Sequence, residues 1–176
     1  MKRNVQASLR RPDIWRHMLL LSALALLAAR PAAAQFTITL VSSDWTLDVG
    51  IGDVPSAGSD FAASFRQWDA SDAQITITAS NASRWDVTAG VRVPGGQSWP
   101  AALSVFVIRT GDGTGATLPA GPLNTPVGPL PTEPTETAFF NGRRTRSNIP
   151  IKLRIEGLTA AIPAGTYQVE VVYTVQ

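Results

Sequence analysis

The sequence has no cysteine, one histidine and two methionines among 176 residues, and His17, Met1 and Met18 all lie near the N-terminus. Without cysteine, disulfide bonds, thiol chemistry and attachment through a lipidated cysteine are excluded. Beyond residue 34 the chain also lacks histidine, which excludes Ser-His and Cys-His nucleophile pairs and His/Cys zinc or copper sites from that part. We therefore predict a protein that is not an enzyme, with no catalytic residue, no cofactor and no metal.

The N-terminus has the pattern of an export signal. Five basic residues precede the apolar run Met18–Ala29, and Ala32-Ala33-Ala34 provides a small-residue cleavage site. The run is shorter than the roughly 20 residues that span a bilayer. The pattern predicts that residues 1–34 are a cleaved signal peptide, with an uncleaved signal anchor as the alternative. We expect a mature chain with no membrane span in the periplasm, at the cell surface or outside the cell.

Removing this leader would reverse the charge of the protein. Six of the 15 Lys and Arg residues and one of the 13 Asp and Glu residues lie in 1–34, so nine basic and twelve acidic residues remain, a net charge of −3. The basic isoelectric point of the whole chain, about 9.5, therefore belongs to the precursor. Nucleic acid is accordingly not a predicted partner.

Two segments near the C-terminus show the clearest alternation of apolar and polar residues. It runs through Ile149–Glu156 and again, after the turn at Ile162–Gly165, through Tyr167–Val175. A period of two indicates strands with one apolar face. We predict an antiparallel hairpin in which Lys152 and Arg154 face Glu170.

Similar patterns predict strands through the rest of residues 35–176, and no convincing helix. Phe61–Trp68 is ambiguous between a helical turn and an irregular strand, and we favour the strand. Asn141-Gly142 suits the tight turn of a hairpin that starts with Glu136–Phe140. The resulting eight or nine strands predict one all-β domain, a two-sheet β-sandwich of immunoglobulin-like or jelly-roll type. The remaining predicted strands are Phe36–Val41, Trp45–Gly50, Ala73–Ser80, Trp85–Val93 and Leu103–Thr110, the last of which is apolar almost throughout, as expected of a strand covered on both faces.

Three features are candidates for ligand contact. Gly111–Thr135, rich in glycine and proline, predicts a flexible loop at the end of the sandwich, because it lacks the pattern of a phosphate loop or a calcium loop. Arg143, Arg144 and Arg146 follow the Asn-Gly turn, either as a solvated hairpin tip or as a patch that grips an anionic surface polymer. Trp99 lies in a loop and is the best candidate among the tryptophans for stacking on a surface glycan.

Three short segments lie at the two ends of residues 35–176: Phe36–Leu40, Leu47-Asp48-Val49-Gly50, and Gly165-Thr166-Tyr167 opening the last strand. In these segments the chain resembles secreted bacterial fimbrial and spore-coat-U-like subunits. The chain departs from that pattern in having no cysteine pair and in having Val49 before the glycine. The resemblance implies an incomplete sandwich that is completed by the N-terminal strand of a neighbour. Gln35–Val41, with Phe36, Ile38 and Leu40, is the segment that would be donated.

These observations predict an exported, noncatalytic structural or surface-assembly protein of the pilin-like kind. Its partners would be copies of itself or other surface subunits, joined by strand addition. The alternative is a monomeric extracytoplasmic module that binds surface glycan through Trp99, the arginines or the long loop.

Overall fold

A computed structural model describes eight strands and no helix. The described residues are 36–41, 45, 47–48, 59–61, 67–69, 73–80, 82–95 and 97–176, all within the second of the two compact units of the chain, 34–176. None of them forms a helix that is long and apolar enough to cross a membrane. The predicted signal peptide lies outside the described residues.

The first sheet has five antiparallel strands. β1 (Phe36–Val41) pairs with β3 (Ala73–Ala79), and β3 pairs with the first half of β7 (Arg146–Glu156). β2 (Gln67–Asp69) pairs with the second half of β7, and β5 (Ser104–Arg109) also pairs there. Since Ile151 is opposite both Ala73 and Arg109, β3 and β5 must lie on opposite edges of β7. β1 and β5 are therefore the long outer strands of this sheet, and the three-residue β2 lies on the same edge of β7 as β3.

The second sheet has the order β6-β4-β8, where β4 is Arg84–Arg92, β6 is Thr137–Arg143 and β8 is Glu170–Val175. The prediction of an all-β, two-sheet sandwich is confirmed. The order β1-β3-β7-β5 corresponds to the A-B-E-D sheet of the immunoglobulin fold, and β4-β8 corresponds to its C-F pair. No described strand pairs with the second edge of β8, where that fold places its seventh strand.

The core lies between the two sheets and is built from alternate residues of the strands. Ile75 and Ile77 of β3 and Ile149 and Ile151 of β7 are fully buried in one sheet, and Trp85 in the other. Burying each such side chain stabilises the fold by about 1.5–3 kcal/mol. The alternation that predicted β3 and β4 therefore reflects real burial, as does the apolar run that predicted β5, where Val105, Val107 and Ile108 are buried.

A bulge in the second sheet explains why two consecutive phenylalanines are buried. Val87 is opposite Phe140 while the next residue, Thr88, is opposite Ala138, so Phe139 is an extra residue in β6. Because a bulge interrupts the alternation of faces, both rings enter the core, where they meet edge to face with centroids 4.9 Å apart.

The predicted C-terminal hairpin is wrong. β7 and β8 are both strands, but β8 pairs with β4 in the opposite sheet. Glu170 is therefore opposite Arg92, and their side chains form an ion pair of 2.7 Å. Alternation identifies a strand and its apolar face, but it does not identify the neighbouring strand.

The predicted turn at Asn141-Gly142 is also wrong, because both residues lie within β6. The chain turns two residues later, at Arg144 and Thr145, where Arg144 has a φ of 60°. Since β6 and β7 belong to different sheets, this turn is a crossover and not a hairpin. A glycine occupies position 142 because its Cα packs directly against the buried ring of Trp85.

Two other predicted strands are only partly covered by the described residues. Trp45, Leu47 and Asp48 are not in a strand, which contradicts the prediction there, while Val49 and Gly50 lie outside the described residues. Of Phe61–Trp68, the end belongs to β2 and Phe61 is irregular, and residues 62–66 lie outside the described residues.

Candidate functional site

One side of the sandwich, between the outer strands β5 and β6, is covered by the segment 111–135. Its backbone makes reciprocal hydrogen bonds at three places: Thr114 with Ser147, Ala120 with Asn141, and Val127 with Val107. Farther along, Val91 bonds to Pro131 and Glu133. We call this the closed side. The segment differs from the predicted flexible loop because it continues the hydrogen bonding of both sheets.

The buried guanidinium of Arg146 fixes the start of this segment. Arg146 is only 2% exposed and donates hydrogen bonds of 2.7–3.1 Å to four backbone carbonyl oxygens, those of Asp112, Gly113, Gly115 and Thr117. A buried charge is tolerated only when its donors are satisfied, and here backbone dipoles satisfy them. Arg146 therefore cannot serve as the surface contact that the sequence suggested.

A second buried arginine, Arg109 of β5, fixes the middle of the same segment. Its guanidinium donates to the carbonyl oxygens of Gly121 and Pro122 at 2.8 and 3.2 Å and pairs with the carboxylate of Asp112 at 2.5 Å. It also lies over the ring of Phe140, 5.8 Å from the centroid. Together the two arginines hold the backbone from residue 112 to residue 122 against the sandwich.

The opposite side, between β1 and β8, is less covered by the described residues, and we call it the open side. β1 lies against β8 and, among the described strands, has one hydrogen-bonded neighbour, β3. Phe36 and Ile38 pack on the core but remain half-buried, while Leu40 and Val41 are 42% and 63% exposed. Of the predicted donor residues, Phe36 and Ile38 thus pack on the core of their own chain, and Leu40, on the same face of β1 and opposite Ile75, is left partly exposed.

The inward face of β8 shows the same incomplete burial. Val171, Tyr173 and Val175 lie opposite Val91, Ala89 and Val87 in the register. The β4 residues of these pairs are fully buried, whereas the β8 residues are half-buried. Because the paired strands share one face of one sheet, the difference arises from the position of β8 at the open side.

Tyr173 has an unusual hydroxyl group. Its oxygen is buried and has no hydrogen-bond partner, and its ring lies 6.2 Å from that of Phe139. Burial raises the pKa of the phenol, because the charged form would be poorly solvated. An unpartnered buried hydroxyl costs stability, so Tyr173 is a weak point in the core next to the open side.

Trp99 lines a cleft of about 400 Å³ at one end of the sandwich. The indole is half-buried, and its N–H donates a 3.1 Å hydrogen bond to the carbonyl of Leu103. Most lining residues are apolar, and Gln97, Ser104 and Thr132 are the polar ones, but polar atoms make up more of the exposed cleft surface than apolar atoms. Its volume is within the range of small-ligand sites, about 300–1,000 Å³.

Arg143 and Arg144 are exposed at the crossover between β6 and β7, at a distance in sequence from Trp99 and from the open side. The predicted contact residues thus belong to three elements: β1 at the open side, the cleft of Trp99, and the crossover, where Thr145 bonds to Ala79, the residue opposite Phe36 of β1. The described part of the chain contains no cluster of His, Cys, Asp or Glu that could hold a metal.

Sequence reasoning missed Arg109 and Tyr173. Arg109 is in phase with the buried Val105 and Val107, so its position in the alternation was an available signal for a buried cation. Tyr173 is in phase with Val171 and Val175, which predicted burial of its ring. Nothing in the sequence indicates that its hydroxyl lacks a partner, because this depends on the opposite sheet.

Comparisons with protein-family models, curated proteins and solved structures found no match for this chain. The class that can be stated is therefore the one that the described residues define, an antiparallel β-sandwich with one closed side and one open side.

Proposed function

We propose that this chain is an exported, noncatalytic subunit of a surface assembly of the pilin-like kind, in which β1 is exchanged between copies. The observation that carries the proposal is the edge position of β1 and the incomplete burial of its apolar side chains. β1 is an outer strand that contributes two half-buried side chains, Phe36 and Ile38, to the core. The outer strand of the same sheet on the closed side, β5, contributes the buried Val105, Val107 and Ile108.

The exchange requires no new recognition chemistry. β1 of one copy would pair with β3 of the next in the register that it has in its own chain, with Ile38 opposite Ile77. Because the contacts are the same in both arrangements, concentration and the connecting segment decide between them. That segment is the 25 residues from 42 to 66, which could extend to roughly 80 Å at ~3.3 Å per residue.

The sequence supports the rest of the proposal. The leader pattern in residues 1–34 supports export, and the absence of histidine and cysteine after it supports a noncatalytic role. A strand-exchanged assembly outside the cell depends on main-chain hydrogen bonds and apolar pockets, which need no cofactor.

Complementation in trans tests this proposal. A variant lacking residues 35–41 should form no multimers, and a synthetic peptide of residues 35–41 should bind it and restore its thermal stability. A control peptide with Phe36→Asp and Ile38→Asp should not bind, because both side chains would face the core. Multimers that persist after the deletion, or equal binding of both peptides, would refute strand exchange.

A second candidate function is the binding of a surface glycan in the cleft of Trp99. The specific observation is a ligand-sized cleft with an indole ring and three polar side chains in its wall. Trp99→Ala should abolish retention on cell-wall glycan resin, and Trp99→Phe should keep part of it, since an aromatic face remains. Equal retention of the alanine variant, with unchanged thermal unfolding, would contradict glycan binding there.

A further inference from the structure

Three exposed arginines meet at the crossover end of the second sheet. The register of β4 and β6 places Arg84 directly opposite Arg143, and Arg144 follows in the chain. Like charges directly opposite each other destabilise a sheet. Arg84 has one carboxylate nearby, that of Asp86 at 3.2 Å, and no ion pair between described residues includes Arg143 or Arg144. This group, which we call the arginine corner, thus has three cations and one anion.

Hydrogen bonds to the core and to the other sheet hold the backbone of the arginine corner in place. The indole N–H of the buried Trp85 donates a 2.7 Å hydrogen bond to the carbonyl oxygen of Arg144. The hydroxyl of Thr145 bonds to the backbone of Ala79 in the other sheet. Arg144 has a φ of 60°, a left-handed conformation that is uncommon for arginine. These contacts fix the backbone that carries the exposed arginine side chains, so less conformational entropy is lost when a ligand binds.

From these contacts we infer that the arginine corner binds an anionic polysaccharide. Guanidinium groups bind carboxylate, sulfate and phosphate through paired N–H donors. Two of them on neighbouring strands and a third in the adjoining turn suit a polymer with repeated charges better than a single small anion. A nucleic acid fits less well, because the tryptophan of the corner is buried and offers no ring for stacking bases. The inference is independent of β1 exchange.

The test measures binding of the protein to polygalacturonate and to dextran sulfate, which distinguish carboxylate from sulfate, with neutral dextran as the blank. We expect binding to at least one polyanion that weakens with salt. The combined variant Arg84→Gln, Arg143→Gln and Arg144→Asn should bind at least about tenfold more weakly, since hydrogen bonds to charged groups are lost. Asn is chosen at position 144 because it tolerates the left-handed conformation.

Arg92→Gln is the matched control, because Arg92 is an exposed arginine at the other end of β4. It should bind as the original chain does. If this control loses as much binding as the combined variant, net charge alone explains the loss, and the inference is overturned. The inference would also be overturned if the combined variant bound the polyanion as tightly as the original chain, or if the protein bound single-stranded DNA more tightly. A lower unfolding temperature of the combined variant would overturn it too, because the three arginines would then stabilise the fold.

Discussion

Gly142 lies against the ring of Trp85 with no space between them for a side chain. A Cβ atom at position 142 would be 2.5 Å from two carbons of the indole. Gly142→Ala should therefore force the ring or the strand to shift and lower the free energy of unfolding by about 1–3 kcal/mol. Denaturant unfolding measures this. Gly95→Ala is the control, since a Cβ there meets nothing within 4 Å. Equal stability of the two variants would disprove the close packing.

The four backbone carbonyls that surround the Arg146 guanidinium, which we call the carbonyl cage, predict how the closed side responds to loss of that arginine. Arg146→Met should leave the carbonyls of Asp112, Gly113, Gly115 and Thr117 without their donor. We expect a loss of about 3 kcal/mol or more in unfolding free energy, and faster proteolysis within residues 111–135.

Arg143→Met removes the same charge from an exposed position three residues earlier. Its unfolding free energy should stay within about 0.5 kcal/mol of the original. If the two methionine variants are equally stable and equally resistant to protease, the buried arginine does not hold the segment.

The unpartnered hydroxyl of Tyr173 predicts a substitution that stabilises the protein. Tyr173→Phe removes a buried polar group without a hydrogen bond, so unfolding free energy at pH 7 should rise by about 1 kcal/mol. Tyr167→Phe is the contrast, because the Tyr167 hydroxyl donates a 2.6 Å hydrogen bond to Pro163, and its loss should not stabilise the chain. A Tyr173→Phe variant that is less stable than the original at pH 7 would show that the hydroxyl has a partner.

The same group predicts how stability changes at alkaline pH. Burial raises the pKa of Tyr173 in the folded protein, so the folded state keeps its proton where the unfolded chain loses it, near pH ~10. Stability should therefore fall as pH rises above about 10. Unfolding curves from pH 8 to 11 should show a shallower decline for Tyr173→Phe. An identical decline would mean that this phenol is not the group responsible.

The sequence predicts features of the fold that depend on one strand alone, but not features that depend on how strands from distant parts of the chain pair. Alternation placed β3 and β4 closely, because burial of one face imposes a period of two on the strand itself, and a nearly continuous apolar run placed β5. Alternation could not assign Glu170 to Arg92, because pairing between β8 and β4 is decided by how both sheets close around the core. The prediction of a turn at Asn141-Gly142 was wrong for a related reason. A glycine is needed at position 142 because the ring of Trp85 packs against it, and not because the chain turns there.

The buried arginines mark a different limit. Arg146 follows two exposed arginines in sequence, and its hydrogen-bond acceptors are backbone carbonyls about thirty residues earlier. Backbone carbonyls are present at every position, so no residue type signals such a cage. Arg109 was more accessible to prediction, because it stands in phase with the core of β5.

Strand exchange can be measured directly because the chain has no cysteine of its own. Thr37 and Thr78 are opposite each other in β1 and β3, and both are exposed. Paired strand positions have the separation that a disulfide requires. One preparation carries Thr37→Cys and another carries Thr78→Cys, and the two are mixed, allowed to assemble and oxidised. Strand exchange predicts covalent heterodimers in the assembled fraction, and multimers that yield none under these conditions would contradict it.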